Sequence, residues 1–234
     1  MSSLKIFHLF EICGLKRFVL FVIMLSASFS ARGICIPPEE IDSIQYVSDL
    51  SNLLAIRIYT NTKWNTLEVI KDEQRLVLRP NSPTSLGAGF NYKDYGLAIA
   101  FGLPKSASSN EKYGKTKRLD LQMNMYKPKI GFDGFMQLYK GYYNSNPSDF
   151  MEWENEVYPQ LTDMRVLSIG LNGFYIFNSE RFSYKAAFVR NQAQLRSAGS
   201  FTTGIFGHYD LAETDKGFIP QEYPDSIQNN IDLK

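Results

Sequence analysis

Residues 85–103, SLGAGFNYKDYGLAIAFGL, contain two strand patterns joined by a tight turn at Lys93 and Asp94. Before the turn, larger residues alternate with Gly87 and Gly89 and share one face: Leu86, Ala88, Phe90 and Tyr92. After the turn, a second larger set alternates with glycine and alanine: Tyr95, Leu97, Ile99, Phe101 and Leu103. A period of two is typical of a β-strand with two unlike faces. The stretch therefore predicts an antiparallel hairpin with one apolar face and one face of small residues.

The same alternation continues over most of the chain. It predicts strands at residues 53–59, 66–70, 75–80, 118–125, 129–139, 165–177, 182–189 and 200–209. Aromatic residues make up 14% of the 234 residues, with 14 Tyr and 17 Phe, which suits strands. The sequence predicts an all-β fold.

The N-terminus is typical of an export signal. Positive charge at Lys5, Lys16 and Arg17 flanks the apolar stretch 18–25, and the small residues 26–31 follow. We expect cleavage near Ala31; a cut after Gly33 and an uncleaved apolar anchor are the alternatives. Cys35 follows Ile34 rather than a small residue, which disfavours a lipid-modified cysteine. Because the other cysteine, Cys13, lies in the signal, the mature chain is predicted to have no internal disulfide.

Two architectures produce alternating strands: a soluble sandwich with its apolar residues inside, and a membrane barrel with lipid outside and a polar interior. Export, strand length and the connections favour the barrel, because a tilted strand needs about 9–11 residues to span. The turns predicted at 93–94, 127–128 and 178–181 are short, and the links at 104–116 and 141–163 are long and polar. Short periplasmic turns and long outer loops are expected of outer-membrane barrels.

The sequence therefore predicts an antiparallel up-and-down transmembrane β-barrel of about eight strands in a Gram-negative outer membrane. Its predicted parts are a signal peptide (1–31), a polar lead (32–50), the barrel (51–209) and a polar tail or incomplete loop (210–234). Counting 182–189 as a strand places the tail at the periplasmic end; the alternative is that one of the segments predicted as strands is not a strand. Because the chain ends in NNIDLK rather than in an apolar-aromatic strand, it forms either a closed eight-strand barrel or part of a larger one.

Two sets of side chains follow from the barrel hypothesis. Polar residues opposite the apolar faces would line the interior and pair there: Arg57, Arg118, Asp120, Asp133 and Lys185. Tyrosines at strand ends would form an interfacial girdle: Tyr92, Tyr95, Tyr126, Tyr139, Tyr142 and Tyr143. Cations at one loop–strand junction could meet lipid phosphates, the alternative being a solvated loop: Lys112, Lys115, Lys117 and Arg118.

Other chemistries find little support. Gly114, Lys115 and Thr116 resemble the end of a phosphate-binding loop, but Ser109 replaces the first glycine and a strand pattern, not a helix, follows. The net charge of +1 gives no electrostatic reason to expect nucleic acid. His208 is the only candidate base for a hydrolase, and no Cys/His cluster or calcium-loop spacing is present in the sequence. We expect no catalytic residues, metal or cofactor; outer-membrane lipid is the expected partner, and protein partners stay open.

Three segments carry a resemblance to a known family: residues 113–143 (YGKTKRLDLQMNMYKPKIGFDGFMQLYKGYY), 191–201 (NQAQLRSAGSF) and 79–93 (RPNSPTSLGAGFNYK). They resemble the domain-of-unknown-function 4421 family of exported bacterial proteins. The resemblance runs from about Tyr46 to the end and implies an outer-membrane barrel without assigned chemistry. Family members are typically longer than this chain, which favours the larger barrel.

A structural or transport barrel is thus the leading hypothesis. The alternatives are a soluble periplasmic β-sandwich or lipocalin-like binding module, and an outer-membrane lipid hydrolase that uses His208.

Overall fold

The structure, a computed structural model, describes residues 2–6, 45–71, 74–221 and 223. Most of the predicted signal peptide and polar lead, and the end of the tail, lie outside these residues. Twelve strands are numbered in chain order: β1 (Ser2–Ile6), β2 (Val47–Asp49), β3 (Ala55–Thr62), β4 (Leu67–Lys71), β5 (Gln74–Arg79), β6 (Thr84–Tyr92), β7 (Tyr95–Gly102), β8 (Lys117–Tyr126), β9 (Ile130–Asn144), β10 (Gln160–Ile176), β11 (Gln192–Gln194) and β12 (Thr202–Thr214).

Helices are few in the described residues. They are α1 (Ala107–Tyr113), α2 (Tyr184–Phe188) and a 3₁₀ turn at Pro147–Asp149. Neither α-helix has the length and apolar character needed to cross a bilayer.

One large antiparallel sheet dominates the fold. Its strands follow the order β12-β10-β9-β8-β7-β6-β3, with β1 paired to the end of β12. The β4–β5 hairpin attaches to the end of β9, and β2 pairs with β11 in a separate two-stranded sheet. The all-β, antiparallel prediction is confirmed. Among the described strands β1 and β3 stand at the two ends of the sheet and are not paired with each other, so the sheet is open.

The hairpin at 85–103 forms as predicted. Tyr92 pairs with Tyr95 across the turn, and Leu86 with Phe101 at the far end. Leu97, Ile99 and Phe101 are exposed, whereas the alanines between them are buried. The larger residues therefore lie on the outer, convex face and the small ones on the inner face.

Outward apolar residues continue across the whole sheet. One transverse row runs through paired positions on every long strand: Ile58, Ala88, Ile99, Leu121, Met136, Ile169 and Tyr209. The next row is equally apolar after its first member: Thr60, Leu86, Phe101, Leu119, Leu138, Leu167 and Leu211. Ile58 is 79% exposed and Ile99 40%. Soluble monomers rarely expose a contiguous apolar face of this extent.

The apolar side of the sheet switches near one end. On β9 Met136 and Leu138 face outward, but Tyr139 and Tyr142 are buried inside. β10 makes the same switch, from outward Leu167 and Ile169 to inward residues beyond them. These inward residues form a conventional core with the β4–β5 hairpin and the tail: Val69, Leu76, Leu78, Tyr139, Tyr142, Leu161, Met164, Val166, Ala212, Phe218 and Tyr223. The end that carries the long links is therefore packed like a soluble protein.

The prediction of a strand at 182–189 is wrong. Residues 184–188 form α2, because the Ser183 hydroxyl accepts a hydrogen bond from the Ala186 amide and caps a short helix that contains two alanines. The short turn predicted at 178–181 is consequently a long excursion, from Phe177 to Phe201, that contains α2 and β11.

This correction reverses the direction of the last strand. β10 ends and β12 begins at the end of the sheet that has the short turns, so β12 finishes among the long links. The residues after Thr214 therefore lie at the opposite end from the one predicted. The prediction of a periplasmic tail arose from counting α2 as a spanning strand.

A substitution at Gly141 tests the close contact between β9 and the link that precedes β8. Its φ is +91°, and a Cβ there would lie 2.3 Å from the Lys115 carbonyl oxygen. We expect Gly141→Ala to destabilise the protein by about 1–3 kcal/mol, since it combines backbone strain with a clash against main chain. Gly207→Ala is the control, because a Cβ at Gly207 would meet no atom within 4 Å. Urea unfolding in detergent measures the stability of both variants. Equal midpoints would contradict the close contact between Gly141 and the Lys115 carbonyl.

Candidate functional site: the polar inner face

The inner face holds a buried ion cluster at Asp120. The Asp120 carboxylate, which is fully buried, accepts from Lys63 Nζ at 2.6 Å and from Arg118 Nη2 at 3.4 Å. Arg118 also donates to the Pro83 carbonyl at 2.9 Å and to the Asn61 side chain at 3.2 Å. Its guanidinium carbon lies 5.3 Å from the centre of the Tyr139 ring. Two cations around one carboxylate hold together strands β3, β8 and the link after β3.

Small residues on β6 and β7 make this cluster possible. A Cβ at Gly87 would lie 2.6 Å from the Tyr59 ring, and one at Gly89 would lie 3.1 Å from Arg57 Nε. Side chains from β3 therefore lie flat on β6 and β7, and the sheet curls enough for Arg118 on β8 to reach Asn61 on β3. The face of glycine and alanine seen in the sequence thus serves close approach across the sheet.

Arg57 does not join the ion cluster. Its guanidinium carbon lies 5.6 Å from the centre of the Tyr59 ring, and Nε is buried without a hydrogen-bond partner among the described residues. It therefore packs chiefly as a cation over an aromatic ring.

Asp133 belongs to a second group, near the short turns. It accepts a short hydrogen bond from the Tyr126 hydroxyl, and Asn172 lies directly opposite it on β10. The Tyr126 ring contacts Tyr184 of α2 at a centroid distance of 4.9 Å. Burial raises the pKa of the Tyr184 phenol, and the charge of Asp133 adds to that shift. The first turn of α2 is thereby anchored to the inner face.

Lys185 also lies on α2 rather than on a strand. It is buried, with 7% of its surface exposed, and it pairs with Asp94 in the β6–β7 turn. The Asn191 side chain donates to the carbonyl of Lys93 in the same turn at 2.7 Å. In the small sheet of β2 and β11, the hydrogen bond from Ser51 lowers the pKa of Asp49. The 177–201 excursion therefore caps the short-turn end of the inner face.

The five polar residues predicted to line the interior thus fall into separate groups. The structure brings Arg118 and Asp120 together, and it leaves Arg57, Asp133 and Lys185 with other partners. Sequence reasoning missed Lys63 and Asp94, because neither lies in an alternating strand. Of the cations at the loop junction, Lys117 faces outward, whereas Arg118 faces inward with the interior set.

The predicted tyrosine girdle is wrong for half of its members. Tyr92 and Tyr95 are exposed on the outer face, and Tyr143 is partly exposed among Tyr113 and Tyr158. The others are buried on the inner side: Tyr126, Tyr139 and Tyr142. Tyr126 and Tyr139 have the parity of the inner residues on their strands, which places their rings inside.

Gly114, Lys115 and Thr116 form a structural junction rather than a phosphate loop. They follow α1 and lead into β8, so no helix N-terminus follows Thr116. The Thr116 hydroxyl donates to the Gly141 carbonyl and accepts from the Asn81 amide, both at 2.8 Å. The Asn81 side chain donates to the Gly114 carbonyl, also at 2.8 Å. The glycine and threonine tie the α1 link to β9 and to the start of β6.

His208, Asp210 and Ser168 are close together but are not arranged as a Ser-His-acid triad. Its Nε2 lies 2.9 Å from Asp210 Oδ1, but the Ser168 hydroxyl donates to the same carboxylate oxygen. In a Ser-His-acid triad the imidazole stands between the hydroxyl and the acid. Here the acid stands between the other two, so no base contacts the hydroxyl.

Other ligand sites are poorly supported. In the described part of the chain no three His, Cys, Asp or Glu side chains are close enough to hold a metal ion. A shallow cavity of about 330 Å³ lies between segments 157–163 and 216–221. Its carboxylate, Asp163, already accepts from Thr214 and from the backbone amides of Asp215 and Lys216. No uncommitted acidic group remains there to define a ligand.

The comparison with protein families gives one match, to the model described as domain of unknown function (DUF4421), over residues 40–234. The chain belongs to this family. The match confirms the resemblance found in the sequence, and its description states no activity. Comparisons of this DUF4421 chain with curated proteins and with solved structures give no match.

The three segments that suggested DUF4421 provide much of the polar framework described above. Residues 113–143 contain Gly114, Thr116, Arg118 and Asp120, residues 79–93 contain Asn81, and residues 191–201 contain Asn191. These side chains connect distant elements rather than converging on one open site.

The Asp120 cluster can be tested by a double-mutant cycle. We expect Asp120→Leu alone to destabilise the protein by about 3–5 kcal/mol, because it leaves the fully buried Arg118 side chain without its carboxylate. Arg118→Leu/Asp120→Leu should lose clearly less than the sum of the two single variants. Urea unfolding followed by tryptophan fluorescence measures the coupling. Additive single effects would show that the two charges do not depend on each other.

Proposed function

We propose that this chain forms the wall of an outer-membrane β-barrel with a structural role, in which the apolar outer face contacts lipid. The single observation that carries the proposal is the inside-out packing of the sheet. Apolar residues on the outer face of every long strand are exposed or half-buried, while small and polar residues of β7 and β8 are buried behind them, among them Ala98, Ala100 and Asp120. Lipid is the solvent in which such a surface is stable.

The outward apolar rows end at a common level, which favours contact with a bilayer over contact with a protein partner. The rows end at one level on β8, β9 and β10, and beyond that level the apolar residues turn inward into a conventional core. Strand lengths agree as well: β6 has 9 residues and β8 has 10, within the roughly 9–11 that a tilted strand needs. β3 and β7, at 8 residues each, are slightly shorter.

The packing of the inner face favours a structural role and argues against a wide channel. The core formed with the β4–β5 hairpin covers one end of the inner face, and the 177–201 excursion covers the other end. Between these ends, ion pairs and hydrogen bonds hold the side chains of Asp120 and Asp133. We expect the open edges of the sheet to be closed in the membrane by further strands, since unpaired backbone groups are unstable in lipid.

Arginine placed at two depths on the outer face tests the proposal. Ile99 lies in the middle of β7, and Leu103 directly follows β7, two residues beyond the pair of Phe101 and Leu119. In a bilayer, Ile99→Arg should destabilise the folded protein by about 2–4 kcal/mol and Leu103→Arg by about 0–1 kcal/mol. Urea unfolding from lipid vesicles measures both.

A soluble sandwich gives the opposite expectation. Both side chains are exposed, so arginine at either position would change stability by less than about 0.5 kcal/mol. Equal, small effects, together with a compact fold that needs no detergent, would refute the membrane proposal.

A further inference from the structure

A row of cations crosses the outer face at the level where the apolar side switches. Lys117 on β8 pairs with Lys140 on β9, and Lys140 pairs with Arg165 on β10. All three side chains are exposed. Glu213 on β12 stands opposite Arg165 and ends the row. We call Lys117, Lys140 and Arg165 the basic row.

The basic row is electrostatically unfavourable by itself. Neighbouring strands are about 4.8 Å apart, so the three cations lie within roughly 10 Å of each other. Like charges on directly opposite positions destabilise a sheet. None of the three forms an ion pair with an acidic residue of the described chain. An anion bound across the row would remove this repulsion.

The surroundings of the basic row indicate the kind of anion. Directly next to it lies a row of leucines that includes Leu119, Leu138 and Leu167. The aliphatic stems of lysine and arginine can lie along such a surface while their charges reach a polar boundary. A ligand that fits both rows carries a negative head group above an apolar chain.

We propose that the basic row binds the phosphate groups of anionic lipids at the edge of the bilayer. The proposal rests on the proposed function, because it needs the leucine row to contact acyl chains. Arg165 can bind a phosphate through two parallel N–H groups, and the two lysines add point charges beside it. A free phosphate would gain only the charges and leave the leucines without a partner.

The test compares lipid binding by two variants of equal charge. K117Q/K140Q/R165Q removes the basic row, and R79Q/K105Q/K216Q removes three exposed cations from β5, a link and the tail at the same end of the sheet. Each protein is folded in zwitterionic detergent and titrated with phosphatidylglycerol, and native mass spectrometry reports the bound lipid. About fivefold in affinity per cation predicts a loss on the order of 100-fold for the basic-row variant. The control variant should bind like the unmodified chain.

Several outcomes would overturn the proposal. Equal lipid binding by both variants would do so, and so would displacement of the lipid by inorganic phosphate at matched concentration. If the triple variant does not fold, Lys140→Gln alone must still weaken binding by about fivefold. A chain that is folded without detergent would refute the proposed function itself, whereas a detergent-dependent chain with unchanged lipid binding would refute only the basic row.

Discussion

The whole fold depends on one constraint: the sheet must bury polar groups on its inner face while its apolar residues stay outside. Lys63, Arg118 and Asp120 satisfy this constraint in one place, because two cations share one fully buried carboxylate. The small residues of β6 and β7 are part of the same solution, since they let Tyr59 and Arg57 lie against the backbone. Larger residues at these glycines would push the inner side chains away from the sheet and separate Arg118 from Asn61.

The constraint ends at a defined level, and the packing changes there. At Gly141, whose φ is +91°, β9 passes from outward leucine and methionine to inward tyrosine, and the pairing of β9 with β10 shifts register between Leu161 and Arg165. Beyond this point the β4–β5 hairpin and the tail pack a conventional core. If the outer face contacts lipid as proposed, one set of strands meets lipid below this level and water above it, and the basic row lies at the boundary.

Much of this could be predicted from the sequence, because period two is a local property. The hairpin at 85–103 and the strands at β8, β9 and β10 follow directly from alternation. Tyr126 and Tyr139 were also within reach, since counting positions from the outward residues of their strands places both inside. Tyr142 was not, because the register changes at Gly141. Residues 182–189 were predicted as a strand because their apolar residues alternate weakly. Such a short pattern also fits a capped helix, and only Ser183 and the two alanines indicated α2.

Partners across the inner face could not be predicted, because they depend on how tightly the sheet curls. Lys63 and Asp94 lie in a link and a turn, where alternation gives no signal, yet they hold Asp120 and Lys185. Family membership does not change this, since the DUF4421 description states no activity. The polar side chains within the matched segments connect elements, which fits a structural role for the inner face.

Spin-label accessibility measures directly whether the outer face contacts lipid. Single cysteines would replace Ile58, Ile99 and Leu171 in a chain with Cys13 and Cys35 changed to serine, with Lys127 in the exposed β8–β9 turn as the reference position. In lipid vesicles, we expect labels at the first three positions to collide with dissolved oxygen and to be shielded from a water-soluble nickel chelate. The label at position 127 should collide with the nickel chelate more than with oxygen. Free access of the nickel chelate to position 99 would contradict lipid contact, since the outer face would then contact water.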